Sequence, residues 1–156
     1  MNRLEEIRKA WTYSNTITSS GAKMEEISSF QRRYGLLLPR ELVNYFIELN
    51  GTSDKYEDRF FRFYSLTEFK SVKDELGKWE SAPDYRNIVN TLENHENCFV
   101  FSDYQCNLFT YAIRLSNSQT EVNEVYIICG DRYEVIAESF SEFLNLYIND
   151  SAVLYL

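Results

Sequence analysis

The pattern of apolar and polar residues over the first third of the chain has a helical period. Apolar residues recur three and four positions apart in three separate segments, which places each set on one face of a helix. The three stripes are Leu4, Ile7 and Trp11; Met24, Ile27, Phe30 and Tyr34; and Leu42, Val43, Phe46 and Leu49. The pattern therefore predicts three amphipathic helices before residue 50.

Glycine and proline mark where these predicted helices begin and end. Gly35 follows the second stripe, at the position of a left-handed C-terminal cap, where a Cβ atom would clash. Pro39 suits the first turn of the third helix, whose amides have no helical partner. Asn50 and Gly51 end that helix. We therefore predict that Gly35 has a positive φ.

The middle of the chain contains both strand-like and helix-like segments. After the acidic loop "TSDKYED", the segment "RFFRFYSL" is rich in aromatic residues and predicts a strand with aromatics on both faces. Ser65 and Glu68 form a capping-box pattern, which predicts a helix through about Leu76. A second, short helix is predicted by apolar residues at helical spacing: Tyr85, Ile88, Val89 and Leu92.

The last third of the chain changes to strand-like segments and closes with a helix. "CFVFSD", "NLFTYAIRL", "VNEVYIIC" and "YEVIAES" predict four strands, and their short links require antiparallel neighbours. Ser139 and Glu142 form a second capping box before the apolar stripe Phe140, Phe143, Leu144, Tyr147 and Ile148. We predict one α+β domain over residues 1–156. In it, a largely antiparallel sheet of about five strands packs against N-terminal, middle and C-terminal helices.

Charge and composition narrow the classes of partner. Sixteen Lys and Arg against twenty-four Asp and Glu leave a net charge of −8, which repels phosphate backbones and favours a basic protein over nucleic acid. No apolar run approaches the roughly 20 residues that cross a bilayer, and the charged N-terminus "MNRLEEIRKAW" has no apolar signal region. The three cysteines are odd in number and lie in strand-like surroundings, as free thiols in a reducing compartment do. We therefore expect a cytoplasmic protein with no membrane partner.

The sequence offers little for catalysis or for metal binding. Its one histidine, His95, lies in the polar stretch "ENHEN", which is typical of a solvated loop rather than of a tuned base. A G-x-S-x-G elbow, a P-loop and a G-x-G-x-x-G motif are all missing. Zinc could use His95 with Cys98, Cys106 and Cys129, but the spacing lacks the second short pair of ligands. We expect no catalytic residue, no metal site, no cofactor and hence no enzyme.

Two predicted loops join acidic residues to a tyrosine. Tyrosine supplies contact area at a protein interface, and carboxylates steer a basic partner towards it. The candidate partner-binding residues are Asp54, Tyr56, Glu57, Asp58, Asp103 and Tyr104. The alternative, an ordinary acidic loop without a partner, remains open at this stage.

The segment "EISSFQRRYGLLLPRELVNYFIELNG" resembles the signature of the SUKH superfamily, which includes bacterial immunity proteins and fungal cell-wall-synthesis regulators. The matching positions are Glu26, Ile27, Phe30, Gly35, Leu38, Pro39, Phe46, Asn50 and Gly51. "FFRFYSLTEF" is similar to the strand and helix that follow in the family. The closing helix is also similar, through Ala137, Ser139, Phe140, Glu142, Phe143 and Leu144. The resemblance spans about residues 22–148 and departs at 103–107, where many members have a Gly-rich turn and this chain has "DYQCN".

The resemblance implies a SUKH-like fold and a non-enzymatic, protein-binding role. One hypothesis is an immunity protein that neutralises a cognate bacterial toxin, for example a basic nuclease. The alternative is a regulatory adaptor of the cell-wall-synthesis-regulator type, with no toxin partner. An enzyme is disfavoured because the base, the metal set and the phosphate loop are missing.

Overall fold

The computed structural model describes residues 2–16 and 20–155, and within them it contains six α-helices and six strands. The helices are α1 (Arg3–Tyr13), α2 (Met24–Tyr34), α3 (Arg40–Glu48), α4 (Val72–Leu76), α5 (Ile88–Thr91) and α6 (Phe140–Ile148). The strands are β1 (Phe61–Phe63), β2 (Lys70–Ser71), β3 (Cys98–Tyr104), β4 (Phe109–Arg114), β5 (Val125–Cys129) and β6 (Arg132–Ala137). Short 3-10 turns cover His95–Asn97 and Ala152–Leu154. The predicted α+β class is confirmed.

All strands join one antiparallel sheet. Its order is β1-β3-β4-β5-β6, and β2 also pairs with β3, in line with β1. The meander from β3 to β6 is the arrangement that the short links predict. The sheet has six strands rather than about five, because the pattern did not reveal the two-residue strand β2.

Side chains on the two faces of the sheet enter two separate cores. On one face Phe99, Tyr111 and Ile127 pack with residues of α1, α2, α3 and α6. On the other face Val100 and Ile128 pack with residues of α4 and α5. Because both faces are covered, β3, β4 and β5 consist of nearly continuous apolar residues instead of alternating with polar ones.

The predicted stripes of α1, α2, α3 and α6 face the first core except at Met24, and the stripe from Tyr85 to Leu92 faces the second core. Leu4, Ile7 and Trp11 are buried in α1, and α6 buries most of its stripe. Met24 is exposed, because it is the first residue of α2 and precedes the buried positions Ile27 and Phe30.

The predicted helix boundaries are largely confirmed. Gly35 has φ 65° at the C-cap of α2, and Gly51 has φ 90° after α3. Pro39 lies at the N-cap of α3, one residue earlier than its predicted place in the first turn. Ser139 accepts a hydrogen bond from the amide of Glu142 at the start of α6 (3.1 Å). No helix within residues 2–16 and 20–155 is long and apolar enough to cross a bilayer.

The predicted helix from Ser65 to about Leu76 is wrong. The Glu68 carboxylate does accept the Ser65 amide (2.9 Å), but the chain makes only a turn there, since Phe69 is buried among aromatic side chains of the first core. Strand β2 follows, and Ser71 then caps the short helix α4. The helix predicted at 85–92 is only α5, Ile88–Thr91.

Candidate partner-binding surface

The acidic loop of residues 52–57 runs along the outer edge of β1. The amides of Thr52 and Glu57 donate to the carbonyls of Phe63 (2.9 Å) and Phe61 (2.8 Å). In return, Thr52 Oγ1 accepts the Phe63 amide (3.1 Å) and Glu57 Oε1 accepts the Phe61 amide (3.0 Å). The loop therefore pairs the backbone amides and carbonyls at the outer edge of β1. Without it, this edge would be open to pairing with another chain.

Glu57 is buried and has a structural role in this loop. Besides the Phe61 amide, its Oε1 accepts the Arg59 amide (2.6 Å). Its Oε2 accepts the Tyr147 hydroxyl (2.7 Å), which in turn accepts the Trp11 indole N–H (2.9 Å). The expectation that Glu57 is a surface acid is therefore corrected, because its carboxylate is engaged inside the protein.

Asp103 is also removed from the surface, with 0% of the residue exposed. Its two oxygens accept the hydroxyls of Tyr56 (2.7 Å) and Tyr64 (2.8 Å), and Oδ1 also accepts the Asn107 amide (3.0 Å). Arg62 lies 3.8 Å from Oδ2. The expectation that Asp103 contacts a partner is corrected: it is a buried acceptor that organises its own surroundings.

The Asp103 carboxylate also accounts for the turn in which this chain departs from the SUKH pattern. Gln105, Cys106 and Asn107 all have positive φ (48°, 54° and 64°), the conformation for which glycine is usually chosen. The hydrogen bond from the Asn107 amide to Asp103 fixes this turn. The chain therefore makes a left-handed turn without glycine.

Tyr56 connects the two loops that the sequence singled out. Its hydroxyl reaches Asp103 from the loop along β1, so the loops share one end of the sheet. Burial, and then the hydrogen bond to Asp103, raises the pKa of Tyr56 far above its ordinary value, which keeps the hydroxyl a donor. Asp54 and Asp58 are exposed, while Tyr56 and Tyr104 are half-buried. Their partner-binding role stays a prediction.

Phe60 is a surface residue that the sequence reasoning did not single out. Its side chain is 55% exposed, although the next residue, Phe61, is fully buried. The Gln105 amide donates to the Phe60 carbonyl (2.8 Å), which ties this residue to the β3–β4 turn, where Leu108 is also exposed. The segment "RFF" gave no signal for this exposure, because both faces of the sheet are covered and adjacent aromatic residues such as Phe63 and Tyr64 are both buried.

Two grooves are lined in part by residues of the first core. One, of about 610 Å3, lies between α2 and the segment Leu66–Asp74, and its rim carries both Glu25 and Arg33. The other, of about 420 Å3, lies beside Trp11 and Tyr147 and reaches Asp58. Only the second adjoins the loop along β1.

The residues considered for catalysis and for zinc are scattered. His95 is half-buried and its Nδ1 lies 3.8 Å from the Glu96 carboxylate. Cys98 is buried, Cys129 is half-buried and Cys106 is exposed at the β3–β4 turn. In the described part of the chain, no group of three or more His, Cys, Asp and Glu side chains is arranged to hold a metal ion.

Comparison with known families gives one match, to the SMI1/KNR4 family (SUKH-1), over residues 21–146. The matched span includes all six strands and begins just before α2. A search of curated proteins finds no match.

Proposed function

Since the chain belongs to the SMI1/KNR4 family (SUKH-1), we propose that it is a non-enzymatic immunity protein that binds and neutralises a basic bacterial toxin. This family includes immunity proteins and regulators, and it is generally non-enzymatic. Both kinds of role depend on binding other proteins, so the choice between them rests on the surface of this chain.

The observation that carries the proposal is the excess of acidic over basic residues, with a net charge of −8. Glu57 and Asp103 are buried, but Asp54 and Asp58 remain exposed beside the sheet edge. Such a surface accelerates encounter with a basic protein and repels nucleic acid. Nuclease toxins fit this charge well, because an enzyme that binds a phosphate backbone needs a basic site, which an acidic protein can cover.

We place this activity in the cytoplasm. The three cysteines are free thiols, as expected in a reducing compartment. An inhibitor in that compartment would meet a nuclease toxin where its nucleic-acid substrate lies.

The test is a partner isolated with the full chain from its native host, identified, and then produced alone. An immunity role requires that this partner arrests growth when expressed by itself and that co-expression of the chain restores growth. A partner that is harmless alone would instead support the regulatory adaptor. The variant Phe143→Ala, which removes a fully buried ring and so destabilises the chain, should restore growth less well than the parent chain.

A further inference from the structure

Phe60 differs from the other exposed apolar residues in its backbone conformation. Eight large apolar side chains are substantially exposed among the described residues, and Phe60 is the only one with a positive φ (73°). The other non-glycine residues with positive φ in the described ranges are Asn, Asp, Ser, Gln or Cys. A bulky residue is rare in this region, and such strain persists only where the surrounding structure imposes it.

The surrounding hydrogen bonds do impose this conformation. The Phe60 amide donates to the Glu57 carbonyl (2.8 Å), and its carbonyl accepts the Gln105 amide (2.8 Å). The Glu57 carboxylate accepts the amides on both sides of Phe60, those of Arg59 and Phe61. The peptide groups around Phe60 are therefore fixed from two directions.

Glu57 is itself held from the first core. Tyr147 of α6 donates to its carboxylate, and Trp11 of α1 donates to Tyr147. This chain of buried hydrogen bonds begins in two helices and ends at the loop that carries Phe60. Because these hydrogen bonds hold the buried Glu57 carboxylate, the Phe60 ring faces outward before any partner arrives. This preorganisation reduces the entropic cost of binding.

The exposed charges near Phe60 in the sequence have an acidic excess, two carboxylates against Lys55. Asp58 is two residues away and exposed, and Asp54 is exposed on the same loop. Arg59, between them in sequence, is already engaged by the Tyr147 carbonyl (3.1 Å) and the carboxylates of Asp150 (3.3 Å) and Glu57 (3.6 Å). The exposed aromatic ring thus shares its loop with two exposed carboxylates, with the exposed Lys55 and with a cation that is already paired.

We propose that Phe60 is the apolar anchor of the partner-binding surface, that Glu57 is its positioning residue, and that the occupant is a basic protein with an apolar recess. An exposed aromatic ring on a loop with exposed Asp54 and Asp58 fits protein interfaces, in which buried aromatic side chains hold the complex and charges steer association. This inference rests on the proposed function only for the basic character of the partner, not for its toxicity.

The first experiment places a photo-crosslinker at the anchor. The full chain is expressed in its native host with p-benzoylphenylalanine at position 60 or, as a matched control, at position 135. Val135 is 52% exposed and lies on β6, at the other edge of the sheet. We expect one light-dependent adduct with an identified basic protein from position 60 and none from position 135. The absence of an adduct at position 60, or an adduct with an acidic protein, would overturn the inference.

The second experiment measures binding of that purified partner. Phe60→Ala should weaken binding by about 30-fold or more, chiefly through faster dissociation, as loss of a hot-spot side chain does. Val135→Ala should leave the affinity unchanged. Phe60→Asn should weaken binding as much while keeping or raising Tm, because asparagine tolerates positive φ better than phenylalanine. Unchanged affinity of both Phe60 variants would reject the anchor.

Testing the positioning role of Glu57 requires a measurement that a loss of stability alone would not change. Glu57→Gln should weaken binding in the parent chain but add nothing to the loss in a Phe60→Ala background, since it acts through the ring. Equal losses in both backgrounds would reject this role. A partner that is bound through Phe60 but is harmless would contradict immunity alone, while neutralisation that survives Phe60→Ala would contradict the anchor alone.

Discussion

At the scale of single residues, burial divides the carboxylates near β1 into two classes with different effects on stability. Asp103 accepts three hydrogen bonds inside the protein, whereas Asp54 is exposed. We expect Asp103→Ala to lower the free energy of unfolding by about 3 kcal/mol or more, because buried donors lose their acceptor. Asp54→Ala, the control, should change it by less than about 0.5 kcal/mol. Urea denaturation measures both, and equal effects would contradict the burial of Asp103.

The cysteines give a second prediction at this scale. Burial raises the pKa of the Cys98 thiol to about 12, so at pH 8 almost none of it is the reactive thiolate. Cys106 is exposed. A thiol reagent at pH 8 should therefore show a fast phase that Cys106→Ser removes and Cys98→Ser leaves intact. A fast phase that survives Cys106→Ser would contradict its assignment to Cys106 and point to the half-buried Cys129.

The sequence predicted which residues carry charge but not which of them are buried. Glu57 and Asp58 are neighbours of the same chemical type, yet only Glu57 meets Tyr147, which is 90 residues away. Partners so distant in sequence leave no local signal. Phe60 left none either, since the adjacent aromatic residues Phe63 and Tyr64 are both buried, one in each core.

At the scale of elements, the two left-handed glycines after α2 and α3 should differ in their tolerance of a side chain. Gly35 has φ 65°, but a Cβ there would meet no atom within 4 Å, so Gly35→Ala should cost only the backbone strain of about 1–2 kcal/mol. Gly51 has φ 90°, and a Cβ there would lie 2.7 Å from the Phe63 carbonyl oxygen. Gly51→Ala should therefore lower Tm by clearly more than Gly35→Ala does. A reversed order would show that the chain after α3 can shift away from β1.

Element boundaries were predictable where the signal is local. Caps at Gly35 and Ser139 depend on residues within a few positions and are confirmed. The capping pattern at Ser65 predicted a helix that the fold overrides, because Phe69 enters the first core and Lys70 and Ser71 pair with β3. The competing interaction involves residues about 30 positions away, so no window around Ser65 contains it.

At the scale of the whole molecule, the two cores on opposite faces of one sheet should unfold together. Phe143 belongs to the first core and Ile88 to the second, and both are fully buried. Phe143→Ala should cost about 3–5 kcal/mol and Ile88→Ala about 2–5 kcal/mol.

The two tryptophans report the two cores separately, because Trp11 lies in the first and Trp79 packs against the second. In Trp79→Phe and in Trp11→Phe, the fluorescence midpoint should coincide with that of circular dichroism. Midpoints that separate would mean that the helices α4 and α5 unfold independently of the rest.

The position of the acidic surface, rather than net charge alone, should control how fast the partner associates. Changing Asp54 and Asp58 together to asparagine moves the net charge from −8 to −6, and so does changing Glu134 and Glu138 on and after β6 to glutamine. All four side chains are exposed, so neither double variant should disturb the fold. The two variants therefore carry the same overall charge and differ in where it was removed.

If the partner docks at the loop along β1, the Asp54 and Asp58 variant should associate more slowly than the β6 variant. The difference should shrink as salt is raised, because screening shortens the reach of each charge to about 8–10 Å at 0.1–0.15 M. Tyr56→Ala and Tyr104→Ala should instead speed dissociation, since these half-buried rings supply contact area and not charge. The measurement is binding kinetics with the purified partner at two ionic strengths. Equal slowing by the two double variants would mean that charge acts over the whole molecule and that the docking surface lies elsewhere.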